Sequence, residues 1–170
     1  MTERAALRPE DFFALTQLQA DYAAIVDAGD WAAWCELFTD DCRYRLVPRE
    51  NFERGLPLAT LSFESKGMLK DRAHAITETL FHDPYYQRHL IGPTRVLRAD
   101  AGFPDRSVPD RIECETNYAV FRNKLSELTQ VFNVGRYLDT VVRTPQGLRF
   151  ASRVCVYDSE MIPNSIIYPI

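Results

Sequence analysis

Three histidines, His74, His82 and His89, are the residues of this chain best suited to holding a metal. Asp83 follows His82 directly. Two histidines and one carboxylate can hold a non-haem iron with open coordination positions. The spacing here neither selects nor forbids such a set, and polar loop and interface roles are expected of His82 and His89. Iron–sulfur clusters need thiolates or histidines drawn together by short spacings. Cys35, Cys42, Cys114 and Cys155 form no C-x-x-C, C-x-H or C-x-x-H pair. The dinucleotide fingerprint G-x-G-x-x-G, a phosphate-binding loop and a G-x-S-x-G elbow are also absent from the sequence. No catalytic, cofactor-binding or metal-binding residue is therefore assigned to the chain.

Acid–base chemistry has candidates in Asp27, Tyr44, His74 and Tyr118, but no spacing picks a pair, and tyrosines on a sheet face more often belong to a core. A charge pattern stands out later in the chain. Asn117, Arg122, Arg136, Asp139, Arg153 and Asp158 interrupt otherwise apolar runs. Arginine suits bidentate pairing with carboxylates. Such a pattern fits either a solvated sheet face with cross-strand ion pairs or a protein interface. Arg136, Asp139, Arg153 and Asp158, together with Arg49 and Arg54 from an earlier segment, are the candidate interface residues.

The elements that must carry these residues follow from periodicity. Phe12, Leu15, Leu18, Tyr22 and Ile25 share one helical face, which predicts a helix from Pro9 to Ala28 stopped at Gly29. Asp30 can cap a second helix with Trp31, Trp34, Leu37 and Phe38 on its apolar side. Cys42 to Val47 alternates as a short strand ended by Pro48. Arg49 to Ser65 lacks a period and is expected to be a long loop that reaches a partner. Ser65 can cap a third helix from Lys66 to about Leu80, with Leu69, Ala73, Ile76 and Leu80 buried.

Sheet is expected afterwards. Arg88 to Ala99 reads as a strand disturbed at Gly92 and Pro93. A loop follows over Ala101 to Asp110. Arg111 to Lys124 is a strand with Ile112, Cys114, Thr116, Tyr118 and Val120 on one face. Thr129 to Arg143 is another, and Thr144 to Gly147 is a turn. The last strand, Leu148 to Asp158, should place Leu148, Phe150, Val154 and Val156 together. The expected organisation is one domain over 1–170. Residues 9–80 or so are mostly helical with one short strand, 88–158 form the sheet, and 159–170 form an apolar tail. Three helices covering one face of a curved, mainly antiparallel sheet make an α+β cone, the plan of the nuclear transport factor 2-like (cystatin-like) fold.

Composition excludes several partners. The 170 residues carry a formal net charge of −4 with acidic and basic residues interleaved, so nucleic acid is not expected. No window is long and apolar enough for a membrane helix, and no export signal precedes the first helix. Reduced cysteines and a cytoplasmic location follow as expectations. Aromatic residues make up 12% of the chain, which suits a wide core and subunit contacts.

Several stretches carry a resemblance: Ala23 to Leu37 with Asp27, Trp31 and Trp34; Asp41-Cys42-Arg43-Tyr44; Pro48-Arg49; Val134-Gly135-Arg136-Tyr137-Leu138-Asp139; Ala151-Ser152-Arg153; Tyr157-Asp158; and Pro163-Asn164. In this order and spacing the chain resembles the small (beta) subunits of Rieske-type aromatic-ring-hydroxylating oxygenases over nearly its whole length. Arg49 to Gly55, Phe81 to His89 and Glu160 to Ile170 resemble small subunits acting on aromatic carboxylates. Salicylate 5-hydroxylase, which makes gentisate from salicylate, is the nearest in kind, and the anthranilate and terephthalate dioxygenases are close alternatives. The resemblance implies a structural subunit beneath a catalytic large (alpha) subunit, three of each. The large subunit would hold a Rieske [2Fe-2S] cluster and a mononuclear iron, supplied with electrons from NADH by a reductase and a ferredoxin. The alternatives are a stand-alone dehydratase, isomerase or cyclase of the same fold, or a small-ligand binding module.

Overall fold

The computed structural model describes residues 7–101, 109–162 and 165–170. Helix α1 (Pro9–Ala28) begins with proline at its first turn and ends at Gly29, whose φ of 70° is the left-handed conformation that glycine adopts without steric cost. Helix α2 (Trp31–Glu36) is capped by the Asp30 side chain, which accepts from the Ala33 amide at 3.0 Å. Strand β1 (Phe38–Pro48) follows, then a short helix α3 (Arg49–Glu53) and strand β2 (Leu61–Phe63). Helix α4 (Lys66–His74) is capped by Ser65 and loosens into one π turn over Ala75–Thr79. Four long strands complete the fold: β3 (Tyr86–Ala101), β4 (Pro109–Asn123), β5 (Gln130–Thr144) and β6 (Gly147–Tyr157).

The six strands form one sheet in the order β2-β1-β6-β5-β4-β3. Every neighbouring pair is antiparallel except β1 with β6. Helix α1 packs against β3 and β6, α2 against α4, and α4 against β1. The expected α+β cone is thus the observed one. Its core gathers Leu15, Tyr22, Trp34, Phe38, Tyr44, Tyr137 and Phe150, all 1% exposed or less. Burying each large side chain stabilises the fold by about 1.5–3 kcal/mol.

Three expectations are corrected. The segment 49–65 is not a featureless loop. It holds α3 and β2, and Phe63 pairs with Tyr44 across the sheet edge. Leu80 leaves the stripe of the third helix and is exposed, because the helical turns end at Thr79 and Leu80 itself is extended. The third correction matters most for the interior. A register shift between Thr140 and Val141 of β5 falls opposite Phe150 and Ser152, so Ala151 is an extra residue in β6. A bulge of this kind reverses which side chains face inward. Leu148 and Phe150 face the core before it, and Arg153, Cys155 and Tyr157 face the core after it. Val154 and Val156 lie on the other face, not with Leu148 and Phe150. The expected disturbance at Gly92 and Pro93 is present as a register shift between Ile91 and Thr94. Of the loop expected over 101–110, residues 102–108 lie outside the described residues.

Gly135 of β5 lies opposite Tyr157 of β6. A Cβ at this position would overlap the Val156 carbonyl, so the Val134-Gly135-Arg136 step requires glycine.

Candidate functional site

The inside of the cone is charged at its centre. Arg153 is fully buried and donates to Asp139 through Nε at 2.9 Å and Nη2 at 2.8 Å. Gln19 of α1 bridges the pair, donating to Asp139 at 2.7 Å and accepting from Arg153. The guanidinium lies 4.0–4.1 Å from the ring centroids of Tyr22, Phe150 and Tyr137. Burial alone would disfavour the charged form of Arg153, but the adjacent Asp139 carboxylate overrides it and holds the guanidinium charged, with its pKa raised. Asp139 and Arg153 were expected at a subunit interface. Their place inside the cone corrects this: the bulge at Ala151 turns Arg153 inward, and Asp139 faces inward by its alternation with Tyr137 and Val141 in β5.

The tail fills the remaining interior. Ile170 is fully buried, and its carbonyl oxygen accepts from Tyr22 at 2.6 Å and from Tyr44 at 3.1 Å. Its amide donates to the Tyr44 hydroxyl at 2.9 Å. Arg72 donates to the Ile166 and Ile167 carbonyls, and Gln87 to the Pro169 carbonyl. Burial drives the hydroxyls of Tyr44, Tyr118 and Tyr137 well above the ordinary tyrosine pKa. It also pushes the Cys155 thiol up to about 12. At neutral pH these groups are structural donors and acceptors, unsuited to proton transfer. Tyr118 donates to Asn133 at 2.6 Å and stacks on Tyr137.

The sequence candidates are otherwise scattered, with one exception. Asp27 at the end of α1 meets His89 of β3, Nδ1 to Oδ1 2.6 Å, and also accepts the His89 amide. Both side chains are almost fully buried, and among the described residues His89 Nε2 has no hydrogen-bond partner. His82 instead contacts the Tyr168 hydroxyl at 2.8 Å. His74 is exposed and lines a separate hollow with Glu36 and Lys70. Among the described residues, no group of three His, Cys, Asp or Glu side chains is placed to hold a metal ion. The four cysteines are free and buried. No described helix is long and apolar enough to cross a membrane.

The remaining interface candidates lie on the surface. Arg49 binds Glu53 at 2.7 Å and Asp158 at 3.4 Å, and Arg54 binds Glu50 at 2.8 Å, all at the corner where α3 meets the end of β6. Arg136 is partly exposed on the outer sheet face near Glu115, opposite Asn117. Arg122 turns inward over the Phe132 ring at 4.8 Å. Sequence reasoning missed Gln19, Tyr22 and the pairing of Asp27 with His89. Gln19 had a signal: it lies four residues from Leu15 and so shares its buried helical face.

Residues 8–154 match the SnoaL-like domain family. The chain is 30% identical over 159 residues to the anthranilate 1,2-dioxygenase small subunit of Burkholderia cepacia, covering 94% of each chain. It is 29% identical over 156 residues to the beta 1 subunit of the terminal oxygenase component of terephthalate 1,2-dioxygenase from a Comamonas species, covering 92% of this chain and 96% of the relative. A solved structure described as the beta subunit of an aromatic-ring-hydroxylating dioxygenase from Novosphingobium aromaticivorans DSM 12444 superposes with a TM-score of 0.78 at 32% identity. That match covers 92% of this chain and 95% of the other.

Proposed function

We propose a role for this chain from one premise: it belongs to the SnoaL-like domain family and, within it, to the small subunits of aromatic-ring-hydroxylating dioxygenases. It is a subunit of an oxygenase complex and has a large oxygenase subunit as partner. Its own part in that complex, in our reading, is structural. The single observation carrying this is the occupied interior. In a stand-alone enzyme of this architecture the cone would have to admit substrate. Here the Arg153–Asp139–Gln19 cluster and the Ile166–Ile170 tail take that space with their own hydrogen bonds.

The redox centres, a Rieske [2Fe-2S] cluster and a mononuclear iron, are assigned to the large subunit. His82 and His89 of this chain are committed to different partners, Tyr168 and Asp27, and so do not offer one iron a shared ligand set. We assign three large and three small subunits to the assembly, with NADH-derived electrons passing through a reductase and a ferredoxin. The substrate proposed is an aromatic carboxylate such as salicylate, converted to gentisate. Support comes from the relatives, which are named for two aromatic carboxylates, anthranilate and terephthalate. The four free, buried cysteines favour a cytoplasmic location. Arg49, Arg54, Arg136 and Asp158 are the residues proposed to face neighbouring subunits.

The test is coexpression with the large subunit and turnover of salicylate, anthranilate and benzoate. Arg49→Ala and Arg54→Ala should lower assembly or overall rate and leave the order of kcat/KM unchanged. A reversed order would mean that this chain shapes the active site, and the structural reading would fall. The Asp27–His89 contact favours a second reading, a stand-alone acid–base enzyme. Turnover by the isolated chain, lost in Asp27→Asn, would establish it.

A further inference from the structure

We propose that a cleft beside the end of α1 binds a small organic cation through its ammonium group. The cleft has a volume of about 450 Å³ and runs between the end of α1, Trp31 and the start of β3. This is within the range of small-ligand sites. Its aromatic wall is continuous: Trp31 lies 5.1 Å from Tyr168, and Tyr168 lies 4.4 Å from Tyr85, ring centroid to centroid. Tyr86 stands exposed among the lining residues.

The polar atoms lining it select the sign of the ligand. Gln87 is 4% exposed, and its amide nitrogen is committed to the Pro169 carbonyl at 3.2 Å. Its oxygen is buried and has no hydrogen-bond partner among the described residues. An unmatched acceptor of this kind costs free energy until a donor arrives. Asp27 adds a carboxylate that is nearly inaccessible to solvent and already accepts the His89 amide and contacts His89 Nδ1. Of the nearby side-chain groups, Asn123 gives its amide nitrogen to Glu127 and Thr129, and the Tyr168 hydroxyl contacts His82. One unmatched acceptor and a buried carboxylate beside aromatic faces suit a ligand that donates hydrogen bonds and carries positive charge. A carboxylate ligand would meet Asp27 instead, so the site discriminates against the aromatic acids proposed as substrates of the complex. One cation already stands nearby: Arg88, an exposed side chain 3.6 Å from Asp27. It is a weak competitor for the same carboxylate.

Calorimetric titration of the full chain with benzylammonium, benzyl alcohol and benzoate tests the site. These probes share one ring and differ in charge. Benzylammonium should bind, benzyl alcohol should bind at least about tenfold more weakly, and benzoate should not bind. Gln87→Leu should weaken benzylammonium about tenfold. Arg88→Ala, a surface change that leaves the core intact, should tighten it by up to about fivefold. Equal binding of the alcohol, preference for benzoate, or no heat with benzylammonium in the unmodified chain and in Arg88→Ala would each overturn the proposal. The titration needs no large subunit, so its result is independent of the assembly reading.

Discussion

Arg153 with Asp139 inside the cone and Arg49 with Glu53 at its outer corner are chemically the same contact, at 2.8 and 2.7 Å. The first pair has no exposed side-chain surface, whereas the second is more than half exposed on both sides. Water competes for Arg49 and screens it, so the corner pair contributes little to the fold of the chain itself. In the interior, each charge depends on the other and on Gln19, because no solvent can replace a lost partner. The comparison teaches that an arginine–carboxylate pair acquires its role from where the sheet directs it. The interior pair joins α1 to β5 and β6, while the corner pair remains free to meet another subunit.

The strongest way to break this contrast is to strand the interior carboxylate. Arg153→Met should cost about 3–5 kcal/mol in urea unfolding, since it leaves Asp139 charged and buried. The double change Arg153→Met with Asp139→Leu should recover much of that loss. A single-variant cost below about 1 kcal/mol would place the interior pair on the same footing as a surface pair. Gln19→Leu comes next. It removes hydrogen bonds to two charged groups while keeping the volume, and a loss of about 1.5–3 kcal/mol is expected in the same measurement.

A smaller effect, with a defined pH dependence, concerns the helix that carries Gln19. Asp11 is buried, and Arg8 at 2.8 Å and Arg143 at 2.5 Å hold its carboxyl below the ordinary aspartate range against the opposing effect of burial. A depressed folded-state pKa stabilises the protein above the unfolded value, about 3.9. That stability is lost as pH falls through the folded value. Asp11→Asn should therefore be less stable near neutrality and should lose stability less steeply on acidification below about pH 4–5. Thermal unfolding across that range checks it, and an unchanged slope would detach Asp11 from the acid response. At the weak end of the comparison, Arg49→Ala should leave the unfolding midpoint of the isolated chain unmoved and act only on association with the large subunit. Sedimentation of the coexpressed complex would show this, and a destabilised isolated chain with intact assembly would reverse the assigned roles.

Much of the architecture was legible in the residues. Helix α1 follows from apolar periodicity between Pro9 and Gly29, and α2 and α4 begin where Asp30 and Ser65 can cap them. The inward face of β4 from Ile112 to Val120 follows from strict alternation. These signals are local, set by side-chain spacing and backbone preference within a few residues. The resemblance likewise marked Gly135, whose necessity shows only where β6 presses on it. What the tertiary structure alone decided is which way Arg153 points. Nothing near Ala151 announces a bulge, because the extra residue exists only relative to the register of β5. That one residue carries Arg153 from the solvated face to the centre of the core. The meeting of Asp27 with His89, and the burial of Ile170 against Tyr22 and Tyr44, join positions 62, 148 and 126 residues apart. Contacts over such separations depend on closure of the whole cone, so they leave no periodic trace in the chain.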